Sequence, residues 1–66
     1  MQITLNGESR QVEESCSVSE LITSLEITGK RYAVEINQQI IPKSRHQQTL
    51  LVPQDCVEIV QAIGGG

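Results

Sequence analysis

A chain of 66 residues makes one small domain, and folding at this size buries only about 60% of the surface that the unfolded chain exposes. Every apolar side chain is then needed for packing, which leaves no room for an enclosed pocket of about 300 to 1,000 Å³, so an enzyme is not expected. Five Lys+Arg against eight Asp+Glu give a net charge of −3, and Tyr32 is the one aromatic residue, so neither a phosphate-binding patch nor a base-stacking platform can be assembled and nucleic acid is not expected as a partner.

Met1 leads straight into the alternating run Met1-Gln2-Ile3-Thr4-Leu5, without the basic and apolar segments of a secretion signal, and no apolar run approaches membrane-spanning length. The expectation is a cytoplasmic protein without a membrane span. In that compartment Cys16 and Cys56, which form no Cys-x-x-Cys pair, are expected as free thiols.

Met1, Ile3 and Leu5 alternate ahead of Asn6-Gly7, the dipeptide that best accepts the positive φ angles of a two-residue hairpin turn. Pairing Leu5 with Glu8 across the turn sets Ile3 opposite Arg10 and Met1 opposite Val12, which gives the hairpin one dry face. Ser17-Val18-Ser19-Glu20 matches a capping box and predicts a helix from Val18. Cys16 and Leu21 have the spacing of a hydrophobic staple, which assigns Cys16 to packing. Val18, Leu21, Ile22 and Leu25 form one apolar stripe, and Gly29 is expected in the left-handed position that closes the helix.

Tyr32-Ala33-Val34-Glu35-Ile36 alternates again and stops at Asn37-Gln38, a third strand with Tyr32, Val34 and Ile36 on one side. Ile40-Ile41 before Pro42 reads as a short edge strand, since proline cannot donate to a ladder. A polar stretch follows from Lys43 to Gln48, where His46 is read as a solvated surface histidine. Thr49 to Val52 is expected as a packed loop and Pro53-Gln54-Asp55 as a turn. Val57 to Ile63 is the last strand, with Val57 and Ile59 facing the core and Glu58, Val60 and Ala62 on the opposite face. A hairpin, one helix and two or three further strands predict an α+β chain of β-grasp type, a mixed four- to five-stranded sheet packed on one helix. The expected organisation is a single domain over 1–66, with 63–66 as a flexible glycine tail.

That tail, Ile63-Gly64-Gly65-Gly66, is the one segment with nothing to pack. Taken alone it has two readings, a frayed end and a slender handle that threads into a narrow slot and presents the carboxylate of Gly66, which is ionised at neutral pH. The rival sites are weaker. Cys56 has no His or Lys beside it to activate the thiol, and Glu13-Glu14 reads as a solvated strand end, although acidic residues including Glu58 would steer docking to a basic partner surface.

In this order and spacing, Asn6-Gly7, Ala33-Val34-Glu35-Ile36-Asn37, Ile41-Pro42, Asp55 and Val57-Glu58-Ile59-Val60 running on to Gly64-Gly65-Gly66 resemble the ThiS family of ubiquitin-like sulfur carriers of thiamin biosynthesis, over essentially the whole chain. Gln54 stands where that family usually has a turn glycine, Lys43 where arginine is common, and Ala62 where a larger residue often precedes the end. The resemblance implies that the carboxylate of Gly66 is adenylated by a ThiF-like partner using ATP and Mg²⁺, with no cofactor bound stably by this chain. A cysteine-desulfurase-derived persulfide then converts it to a thiocarboxylate, which gives its sulfur to thiazole synthase. Gly64 and Gly65 would enter the partner's active site, Glu58, Val60, Ala62 and Ile63 would bind the partner, and no residue of this chain would be catalytic or hold a metal. Three alternatives stay open: a carrier like the molybdopterin-synthase small subunit, a ubiquitin-like modifier of lysines, and a plain interaction domain with an inert tail.

Overall fold

The computed structural model describes residues 1–29 and 31–61, and its chain path begins with the expected hairpin. Strand β1 (Gln2–Leu5) turns at Asn6-Gly7 and returns as β2 (Glu8–Gln11) in the register read from the sequence, Ile3 opposite Arg10 and Leu5 opposite Glu8. Both turn residues have positive φ, 49° at Asn6 and 84° at Gly7, the conformation whose twist matches that of the flanking strands. The pairing continues past the strands, because Met1 and Val12 exchange hydrogen bonds at 2.8 and 2.7 Å.

Helix α1 (Val18–Ser24) starts at the capping box: Glu20 N donates to Ser17 Oγ at 3.0 Å and Ser17 N to Glu20 Oε1 at 2.9 Å. Two amide groups that the first turn would leave unpaired are thereby satisfied, a motif worth about 1 kcal/mol. The helix closes earlier than expected. Glu26, not Gly29, takes the left-handed position, with φ of 58°, while its amide donates to Thr23 O and that of Ile27 to Ile22 O. These are the paired bonds of a Schellman closure, and the inward pull of Ile27, which packs against the core, outweighs the backbone cost of a non-glycine residue there. Gly29 has φ of 85° but lies in the loop beyond.

β3 (Tyr32–Ile36) and β4 (Gln39–Ile41) form a second hairpin around Asn37-Gln38, again with two positive φ angles, 51° and 71°. A short 3₁₀ turn, Lys43–Arg45, leads to the loop that returns to β5 (Cys56–Gln61). The sheet order is β2-β1-β5-β3-β4, with β5 parallel to β1 and antiparallel to β3, so the last strand is the central one and β4 is the expected edge.

The helix covers one face of this sheet. Ile3, Val34, Ile36, Val57 and Ile59 from the strands meet Val18, Leu21 and Ile22 from the helix, with Cys16 and Leu51 completing the cluster. Each such side chain contributes about 1.5 to 3 kcal/mol by leaving water. Cys16 and Leu21 are both buried there, in keeping with the staple.

His46 corrects the sequence reading. It is 4% exposed, its Nε2 donates to Ile41 O at 3.0 Å, and its ring lies 5.9 Å from that of Tyr32. Lys43 Nζ stands 4.5 Å above the same tyrosine ring. The polar neighbours of His46 concealed partners supplied by β3 and β4, and the hydrogen bond to a carbonyl fixes the proton on Nε2.

Candidate functional site

The position of a C-terminal handle depends on what holds the strand that leads to it. β5 is anchored by two asparagine side chains, each from the first position of a hairpin turn. Asn37 Oδ1 accepts from Cys56 N at 3.0 Å at the start of the strand, and the Asn37 amide accompanies this by donating from its backbone N–H to Cys56 O at 2.8 Å. Toward the other end, Asn6 Oδ1 accepts from Ile59 N at 2.8 Å and its Nδ2 donates to Ile59 O at 3.3 Å. The Asn6 carboxamide stands in for a peptide group and extends the β1–β5 ladder after the main chain of β1 has turned away.

Asp55, ahead of β5, is buried and satisfied. Its carboxylate accepts from Asn37 Nδ2 at 3.1 Å and from Val52 N at 2.9 Å, while its carbonyl accepts from Thr4 N at 2.9 Å. This explains why an acid can occupy the position, since a buried carboxylate is tolerated only when its oxygens are paired. The sequence marks Asn6, Asn37 and Asp55 as turn residues and as positions that carry the family resemblance, without assigning their side chains a partner. Asparagine at the first position of both turns was the available signal, but its long-range partners are set by topology.

Of the residues expected to bind a partner, Glu58 and Val60 lie on the open face of the sheet, exposed, with Val57 and Ile59 turned to the core. Val60 is 61% exposed, and the register places Ala33 directly opposite it. Ala62, Ile63, Gly64, Gly65 and Gly66 lie outside the described residues.

The two thiols are far apart in environment. Cys16 is buried, its Sγ donates to Ser17 O at 3.4 Å, and burial pushes its thiol pKa up, with Glu20 and then Glu13 adding to the effect. A raised pKa is the reverse of what a nucleophilic sulfur needs. Cys56 is exposed on the sheet opposite Thr4. Among the described residues no group of three His, Cys, Asp or Glu could hold a metal ion, and no helix is long and apolar enough to cross a membrane. An open groove between the β2–α1 loop and the helix is lined by Arg10, Glu13, Glu14, Cys16 and Glu20, and the charges of Glu20 and Glu13 oppose ionisation of the thiol.

A β-grasp sheet on one helix, with its central strand tied at both ends and directed toward the glycine tail, defines a ubiquitin-like protein. The ThiS family model matches residues 3–66, and the chain belongs to that family. It is similar to the sulfur carrier protein ThiS of Escherichia coli, 33% identical over the full length of both chains, and to that of Bacillus subtilis, 32% identical over 97% of this chain and 98% of the other. A thiazole synthase of Paramagnetospirillum magneticum is 39% identical across the whole of this chain, which spans only 20% of that protein's length. Among solved structures, a thiamine biosynthesis protein (ThiS) from Geobacter metallireducens superposes with a TM-score of 0.85 over all of both chains at 30% identity.

Proposed function

We propose that this chain is a sulfur carrier of thiamin biosynthesis that bears sulfur as a thiocarboxylate on Gly66. The observation that carries the reading is the family match over residues 3–66, which includes the glycine tail and not only the folded part. It is supported by the end-to-end correspondence with the Escherichia coli carrier. A carboxylate cannot expel oxide at neutral pH, so the carbonyl needs a better leaving group. A ThiF-like partner using ATP and Mg²⁺ supplies one: the Gly66 carboxylate attacks the α-phosphate, pyrophosphate leaves, and an acyl-adenylate forms.

The terminal sulfur of a persulfide, formed by a cysteine desulfurase, then attacks that carbonyl and AMP leaves. A thiol reduces the resulting acyl disulfide, which releases the thiocarboxylate and leaves a disulfide on the donor side. Thiazole synthase is the acceptor in this reading, supported by the likeness of this chain to one fifth of a thiazole synthase. The chemistry takes place in the partners' active sites in the cytoplasm. This chain contributes the carboxylate, the slender tether of Gly64 and Gly65, and a docking surface of Glu58, Val60, Ala62 and Ile63. Three extended glycines reach roughly 10 Å, enough to enter a channel that a side chain would block.

The test joins mass spectrometry with complementation. Protein from a sulfur-transferring host should gain about 16 Da at Gly66, oxygen replaced by sulfur on an acyl carbon. The full chain should rescue a thiamin-requiring strain lacking its own carrier, and removal of Gly66 or Gly65→Val should abolish rescue without unfolding the domain. Sulfur found on a cysteine, or rescue by the shortened chain, would refute the assignment.

A further inference from the structure

Asn6-Gly7 carries a reactive pairing that its role as a turn does not use. A side-chain carboxamide stands next to a glycine amide nitrogen, and glycine is the residue that crowds that nitrogen least and lets the backbone bend toward it. Both residues are exposed, and a Cβ built on Gly7 would meet nothing among the described residues within 4 Å, so the turn is open to water. The chain holds one other asparagine, Asn37, also first in a hairpin turn and with nearly the same φ, 51° against 49°, but Gln38 follows it. The two sites share a backbone conformation and differ in how freely the next nitrogen can be reached.

Ring closure between them needs no reagent but water. The Gly7 nitrogen attacks Asn6 Cγ as it loses its proton, the Cγ–Nδ2 bond breaks, and Nδ2 departs with that proton as ammonia, leaving a five-membered succinimide. Water then adds to one of the two imide carbonyls. Cleavage of the new Cγ–N bond gives aspartate on the original main chain; cleavage of the Asn6 C–N bond gives isoaspartate, with the main chain routed through Cγ. The sum is a carboxamide plus water going to a carboxylic acid plus ammonia, with no change of oxidation state.

The fold opposes the first step. The carboxamide that must reach Gly7 is held on β5, accepting from Ile59 N at 2.8 Å and donating to Ile59 O at 3.3 Å, while the Asn6 main-chain amide donates to Val57 O at 2.9 Å. Cyclisation requires both side-chain bonds to release, so it draws on chains in which β1 and β5 have parted. The products cannot restore both bonds: aspartate sets an acceptor oxygen against Ile59 O in place of a donor, and isoaspartate lengthens the main chain by one carbon at the turn. We propose that Asn6 is a site of spontaneous deamidation gated by its bonds to β5, and that the modified chain loses part of its hold on that strand. Each opening of the β1–β5 seam then exposes the chain to an irreversible mark, one added negative charge beside the strand that leads to the C-terminal end. Nothing in this step depends on what Gly66 carries.

The test incubates the full chain in mildly alkaline buffer, with and without denaturing guanidinium chloride, and follows its peptides by mass spectrometry. The peptide holding Asn6 should gain about 1 Da, NH exchanged for O, and should do so about tenfold faster or more in the unfolded chain, while Asn37 changes little in either. Equal rates with and without denaturant overturn the gate. An unchanged Asn6 in the unfolded chain, or equal conversion at Asn37, overturns the site. Asn6→Asp makes the aspartyl product directly and keeps a residue suited to the turn, so its melting temperature should fall by about 4 to 8 °C through the lost donor alone. Melting at or above the native temperature overturns the link to β5.

Discussion

The residues that matter most to the geometry are small polar ones with partners distant in sequence. Asp55 joins the loop before β5 to the turn after β3 through Asn37 and Val52. Asp55→Ala leaves both donors without their acceptor, and the unfolding free energy should fall by about 2 kcal/mol in urea titration. A loss below about 0.5 kcal/mol would mean that water replaces the carboxylate and that the network holds nothing in place. The identity of Asp55 was plain in the sequence, but its role was not, because its partners lie 18 residues away at Asn37 and on the backbone at Val52. The same limit applied to His46. Arg45 and Gln47 beside it suggest solvent, whereas its burial comes from Tyr32 and Ile41. Gln54, although not glycine, holds the left-handed backbone that glycine would favour, with φ of 72°.

At the scale of elements, local chemistry was enough to read the two turns, the capping box and the alternation of β3 and β5, since each is encoded within a few residues. The helix C-terminus was misread because two signals compete there, the conformational ease of Gly29 and the drive to bury Ile27, and burial prevails. Sheet order is a different matter, since adjacency of β1 and β5 is a long-range pairing that no local pattern states. The Asn6 side chain is part of that pairing. Asn6→Gly preserves the positive φ of the turn while deleting the carboxamide, so the Ile59 amide should exchange with deuterium about tenfold faster, with Thr4 and Ser9 unaffected. Equal exchange at Ile59 would show that the main-chain ladder alone holds this part of β5.

For the whole molecule, the single cluster over one face makes Cys16 part of the fold instead of the chemistry. Because its folded pKa is raised, the folded chain holds that proton more tightly than the unfolded one at alkaline pH. Stability should therefore decline as pH rises past the free-thiol range of about 8.5, and the decline should be smaller in Cys16→Ala when urea midpoints at pH 7.5 and 9.5 are compared. An identical decline in both would assign it to other groups. Under native conditions an alkylating agent should label exposed Cys56 and spare Cys16 until the chain unfolds.

The central place of β5 also has a mechanical consequence. In the proposed carrier role, a partner drawing on the C-terminal end would pull along the axis of a strand bonded to β1 on one side and β3 on the other. An edge strand under such a load would peel away one bond at a time; β5 instead loads two ladders in shear, so their hydrogen bonds resist together. In the proposed carrier role the domain would act as a stop against the partner, bearing tension on its C-terminal end without unravelling.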